Sequence, residues 1–261
     1  MKSWTNVSLC LLILSAAGAA QAQSGANSYR VVNLVSNVAG VAAVTDPGMV
    51  DPWGFSNPGT PFWLSDHGSG LSTVYAATGV ANANVIVTIP AAGASGTGKP
   101  TGQVQNSAGA AFRLSNGNNA SFIFASEDGL ITAWNNAIGK VAEIKIDNSS
   151  KNAVYKGLAI GTSAAGGTLY GANFRSGKID TWGAGFAPVT LAGSFADPQV
   201  PAGYAPFNIW NIGNKLYVEY AKQDKDQFLD VGGPGTGYVA VFDLNGNLIT
   251  HLISGGVLNS P

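Results

Sequence analysis

The sequence predicts an all-β protein, and within that class a β-propeller of four four-stranded blades. Three observations carry the prediction. Glycine is frequent, with 35 among 261 residues, and only 10% of the chain is charged, so short apolar runs alternate with turn residues rather than with helical stripes. A strand–turn–strand unit recurs at a nearly constant spacing, the mark of a repeat architecture. Each recurrence also places an aromatic residue at the end of its third strand.

Taken along the chain, the second and third strands of the units are "PFWLSDHGSG" with "STVYAATG", then "SFIFASEDG" with "LITAWNNAIG". They continue as "TLYGANFRSG" with "KIDTWGAGF", and "KLYVEYAKQD" with "GYVAVFDLNG". The recurring aromatics are Tyr75, Trp134, Trp182 and Phe242. Phe122 to Leu169 is 47 residues, Leu169 to Leu216 is 47, and Phe62 to Phe122 is 60, the surplus lying in "AAGASGTGKPTG". First strands are expected in "PWGFS", "AAFRLS", "YKGLAIG" and "FNIWNIG", and fourth strands in "NVIVTIP", "VAEIKI", "PVTLAG" and "LITHLI". Four strands per unit of this length describe a propeller blade. A sandwich would also have many short strands, but has no reason to repeat.

The first residues have the layout of a secretory leader: Lys2, the apolar run Val7–Ala17, and Ala20-Gln21-Ala22 as a cleavage site. This predicts a leader over residues 1–22, an N-terminal segment over 23–50 with a closing strand in "YRVVNLVSN", and blades over 51–261. The apolar run is too short for a membrane span. Cys10, the one cysteine, falls in the leader, so the mature chain would have no disulfide and would rely on its buried core, which about 240 residues can supply. The expected setting is therefore exported, periplasmic or extracellular. With 13 Lys and Arg against 14 Asp and Glu, and no basic run, nucleic acid is excluded as an expected partner.

Long stretches, among them "NLVSNVAGVAAVTDPGMVDPWGFS", "FIFASEDGLITAW", "LYGANFRSGKIDTW" and "GGPGTGYVAVFDLNGNLI", resemble an uncharacterised family of exported bacterial proteins, some of which carry a PEP-CTERM sorting tail. The resemblance implies a propeller and an exported location, and no substrate. Members continue past "LNSP" into further blades. That continuation, together with the N-terminal strand's lack of a blade to complete, leads to the expectation that these four blades belong to a six-bladed propeller and stop at the start of a fifth, with closure at four blades as the rival.

In a propeller, the turns between second and third strands share a face with the connections between blades. That face gathers Asp66, His67, Glu127, Asp128, Asn173, Arg175, Asn208, Lys222 and Asp224 as candidate ligand residues. Asp, Asn and Gly are also what tight turns prefer, so any one of these residues has a turn role as its simplest explanation. The fourth turn, "KQDKDQFLDVGGPGTG", is much longer than the others. Its Asp224, Asp226 and Asp230 suggest Ca²⁺, which takes carboxylate and amide oxygens, although they lack the spacing of an EF-hand. "GASGTGKP" fits the start of a phosphate loop, but Pro100 stands where a hydroxyl is required, which leaves an inter-blade loop. No G-x-S-x-G occurs, and only two histidines are present. Trp134 and Trp182 recur at one blade position and should pack; Trp53 and Trp210 are less constrained and free to line the channel, with core packing the simpler expectation for most of the tryptophans. The expected function is a non-catalytic binding or scaffolding module for a small molecule, glycan or protein. The alternative is a Ca²⁺-dependent hydrolase of the lactonase or esterase kind at the central channel.

Overall fold

The computed structural model describes residues 30–260 except 58, 60 and 94. The leader, its cleavage site and Cys10 lie outside the described residues. The chain separates into residues 1–32 and residues 33–261, and the second unit holds every strand named here.

Among the described residues seventeen strands appear in order: β1 (Val35–Ser36), β2 (Val44–Thr45), β3 (Pro52–Ser56), β4 (Phe62–Asp66), β5 (Leu71–Tyr75), β6 (Val87–Thr88), β7 (Pro100–Gln105), β8 (Phe122–Ser126) and β9 (Leu130–Trp134), followed by β10 (Glu143–Asp147), β11 (Tyr155–Ser163), β12 (Gly166–Asn173), β13 (Lys178–Gly183), β14 (Tyr204–Ile212), β15 (Lys215–Lys222), β16 (Gly237–Asp243) and β17 (Leu248–Ser254). They form antiparallel meanders β3–β6, β7–β10, β11–β13 and β14–β17. This is the blade series of a β-propeller.

Two details differ from the expected layout. The first strand of blade two is β7, not "AAFRLS". Phe112 in that stretch has φ 62° and is fully buried, so it leaves the extended region and plugs the core edge-to-face against Phe186, 5.1 Å away. Blade three has three full strands. Its fourth is reduced to a bridge between Trp182 and Pro188, because Pro188 has no N–H with which to extend the ladder. The N-terminal segment pairs within itself, β1 parallel to β2, and among the described residues not with the fourth blade. It lies by blade one, where Asp46 accepts the Tyr75 hydroxyl at 2.9 Å.

The core sits between blades, in successive clusters. Trp63, Val74 and Ile89 of blade one pack with Phe122, Phe124 and Trp134 of blade two. Ile123 and Ile131 pack with Leu158, Leu169 and Trp182, and Tyr170 and Ala172 pack with Ile209, Leu216 and Phe242. Because each middle strand is covered on both faces, β8 and β9 are buried along their whole length. Trp134 and Trp182 are packing residues, as expected.

The first strands pack one against the next through a repeated triplet: Pro52-Trp53-Gly54, Pro100-Thr101-Gly102, Tyr155-Lys156-Gly157 and Pro206-Phe207-Asn208. Every triplet coincides with a slip in the ladder to the second strand, a bulge that turns its middle residue out of the regular alternation. The glycine allows the next strand to come close. A Cβ at Gly54 would lie 2.2 Å from Thr101 O, one at Gly102 2.4 Å from Leu158 N, and one at Gly157 2.8 Å from Asn208 Cα. Between blades one and two, buried Gln103 accepts from Ser65 and Ser72 at 3.0 Å and donates to Ser56 at 2.6 Å. This fixes their register with a satisfied polar cluster.

Candidate functional site

The bulges bring Trp53, Lys156 and Phe207 together. Lys156 Nζ lies 5.1 Å from the Trp53 ring centroid, 5.1 Å from Phe228, 5.5 Å from Phe207 and 5.7 Å from Phe174, all within cation–π range. The Lys156 side chain is fully buried, and a buried ammonium needs a counter-charge. It finds one in Glu127, whose Oε1 accepts from Nζ. Glu127 Oε2 lies 2.8 Å from His67 Nε2, and His67 Nδ1 lies 3.0 Å from Asp51 Oδ2. A neutral imidazole donates from one nitrogen only, so both contacts are donated together only by the imidazolium. Trp53 stacks on the same ring at 5.0 Å and donates its indole N–H to Asp51 Oδ1 at 3.1 Å. Burial works against ionisation of Glu127, but the hydrogen bonds from His67 and Lys156 outweigh it and hold the carboxyl below its ordinary range.

Beside this chain of charges lies a cavity of about 460 Å³ lined by all four first strands, with Trp53, Phe55, Gln105, Asn208, Trp210 and Glu219 on its wall. Trp53 is 37% and Trp210 44% exposed, which leaves part of each indole open to a ligand, with one face of Trp53 already stacked on His67.

The candidates read from the sequence divide. His67 and Glu127 meet, and Asn208 borders the cavity. Asp66 turns away from His67 into the blade, where its Oδ2 accepts from Thr73 Oγ1 at 2.6 Å. Burial raises its pKa to about 7, with Asp46 nearby adding to the effect against the Thr73 bond. Asp128 accepts from Lys99 N at 2.8 Å. Asn173 accepts from Val154 N at 3.3 Å and donates to Asp180 at 2.9 Å. These three serve turn and blade structure. Arg175 lies over Phe228 at 5.8 Å, and Lys222 is exposed at the end of β15.

The long fourth turn reaches the hub with an aromatic rather than with carboxylates. Asp224 Oδ1 accepts from Phe228 N at 2.8 Å, a bond that lowers the Asp224 pKa and places the Phe228 ring by Lys156. Asp230 accepts from the Ser260 hydroxyl, and Asp226 is exposed. Among the described residues no three His, Cys, Asp or Glu side chains converge as metal ligands. Sequence reasoning missed Lys156 as a site residue; the Pro/Tyr-x-Gly/Asn triplet was the signal that would have found it.

A β-propeller with a charged, aromatic hub is the class that fold and site define. No protein-family model matches the chain. It is similar to two uncharacterized proteins of Acanthamoeba polyphaga mimivirus: 31% identical over 245 residues to one (90% of this chain, 59% of the relative), and 32% over 246 residues to the other (90% and 63%). The chain thus spans about three fifths of the length of the curated relatives it matches. These findings correct the resemblance to exported bacterial proteins, since the relatives are viral and nothing among them points to a PEP-CTERM tail. Among solved structures, a catalytically inactive virginiamycin B lyase from Staphylococcus aureus with quinupristin is similar at TM-score 0.50 and 12% identity, over 82% of this chain and 58% of that one. At that identity the likeness shows the fold alone. Among the described residues no helix is long and apolar enough to cross a membrane.

Proposed function

We propose that the chain is a binding propeller whose ligand enters the hub cavity and stacks on Trp53 and Trp210, and that the ligand is a neutral polyhydroxylated molecule, of the glycan class. The observation that carries this reading is the pair of part-exposed tryptophans flanking a cavity whose other exposed groups are amides, hydroxyls and Glu219. Aromatic faces suit the apolar face of a sugar ring, and amide and carboxylate groups suit its hydroxyls. The ammonium of Lys156, the one cation among the described lining residues, is already matched by Glu127, so it does not select an anionic ligand. The leader-like residues 1–22 favour an exported setting.

The Ca²⁺-dependent hydrolase reading has less support. Both Glu127 oxygens are already engaged, one by Lys156 and one by His67, Asp66 points into its blade, and Asn173 serves a turn.

Titration of the purified chain with a panel of neutral oligosaccharides, followed by tryptophan fluorescence and calorimetry, tests the proposal. Saturable binding that weakens about 10-fold or more in Trp210→Ala is expected, as for an interface anchor. Failure of the whole panel, or binding unchanged in Trp210→Ala, overturns it.

A further inference from the structure

Far along the chain from the hub residues of blade one, the outer strand of blade four, β17, presents a nucleophile and a base, and the segment before β14 brings an orienting carboxylate to them. Ser254 Oγ lies 2.6 Å from His251 Nε2, and His251 Nδ1 lies 2.6 Å from Asp197 Oδ2. A regular strand would put residues three apart on opposite faces. Here the ladder slips: Val239 faces Ile253 and Ala240 faces His251, so Leu252 is an extra residue and Ser254 returns to the His251 face. Asp197, its side chain buried, is fixed from its other side by Gln199 N, which donates to Oδ1 at 2.9 Å. The His251 side chain is 9% exposed, while Ser254 is open to solvent. The outermost member is therefore the nucleophile and the innermost the carboxylate, the order that serine acyl transfer requires.

We propose that Ser254, His251 and Asp197 form an acyl-transfer site for small, activated esters with a short apolar acyl group. Leu252 and Ile253, 50% and 40% exposed, supply apolar surface beside the serine. Ser254 Oγ forms a bond to the acyl carbon as its proton passes to His251 Nε2. Collapse of the adduct breaks the carbon–oxygen bond to the leaving group, which takes that proton and departs as the alcohol. Water then attacks the acyl-serine, giving one proton to His251. As the carboxylic acid leaves, that proton returns to Ser254. Asp197 acts through His251 and is a positioning residue. Of the two amides after Ser254, Gly255 N donates to Gly237 O at 2.8 Å; Gly256 N has no acceptor among the described residues and is the nearer candidate to receive the developing oxyanion. This inference rests on β17 and the segment that carries Asp197, and stands or falls apart from the hub reading.

The test treats the full chain with a fluorophosphonate probe, locates the label by mass spectrometry, and follows p-nitrophenyl acetate hydrolysis. The expected result is a single label on Ser254 and turnover that falls at least about 100-fold in Ser254→Ala and in His251→Ala. Asp197→Asn should lower kcat with KM little changed, a split that a purely structural role would not produce. Ser115→Ala, on blade two, should behave as the parent. Circular dichroism and melting establish that each variant is folded. A folded protein that takes no label on Ser254, or hydrolysis that survives Ser254→Ala, overturns the proposal.

Discussion

Lys156 Nζ sits 5.1 Å from the centroid of the Trp53 indole, although the two residues are 103 positions apart in the sequence. They occupy the same place in their blades, the middle of a bulged triplet. The hub is therefore a consequence of the repeat: one equivalent position supplies a cation in blade three and aromatics in blades one and four.

Lys156→Met should destabilise the fold by about 3 kcal/mol, because it leaves the Glu127 carboxylate buried with His67 alone. The double variant Lys156→Met, Glu127→Gln should recover at least half of the loss, since it removes both charges. Urea unfolding of the two variants and the parent reads this directly.

Asp66 makes stability depend on pH. In the unfolded chain it ionises near 3.8, and in the fold at about 7. Below pH 3.8 both forms are protonated. Between the two values the unfolded chain has lost a proton that the folded chain keeps, so stability falls as pH rises through this window and levels off above it. Melting temperature should drop between pH 5 and pH 8, and Asp66→Asn should reduce that drop.

Glycines at the hub should differ sharply from glycines in open turns. Gly102→Ala forces a Cβ to 2.4 Å from Leu158 N and should cost about 2–3 kcal/mol. Gly185→Ala meets nothing within 4 Å and does not have positive φ. It should be neutral, or stabilise by up to about 1 kcal/mol. Thermal melts of the pair distinguish backbone contact between blades from a general intolerance of substitution.

Phe228→Ala should loosen the long fourth turn without unfolding the blades, because the ring is the turn's contact with Lys156. Proteolysis between residues 223 and 236 should speed up, while the melting temperature falls by no more than about 2–4 °C per 1 kcal/mol lost.

Much of the fold was legible because the period that sets blade spacing is written in the strands themselves. Phe122, Leu169 and Leu216 mark equivalent positions, and all three are buried in inter-blade clusters. Blade two was misread at its first strand because "AAFRLS" has a strand's composition, while only a left-handed Phe112 and the turn that follows make it a plug. Half of the site was legible. His67 and Glu127 were visible as members of one polar face of turns, although a turn role was the simplest explanation for each taken singly. Lys156 was hidden because a lone lysine in an apolar strand shows no partner until the blades are arranged around a common centre. The Ser254–His251 pair was hidden by the bulge at Leu252, which no local composition announces.

The central claim is that the hub cavity binds a neutral polyhydroxylated ligand through its two exposed tryptophans. The most direct measurement is tryptophan fluorescence of the parent, Trp53→Phe and Trp210→Ala during titration with the oligosaccharide panel. Saturable change in the parent, retained in Trp53→Phe and lost in Trp210→Ala, is the predicted result. A parent signal that never saturates, or one that persists unchanged in Trp210→Ala, would contradict it.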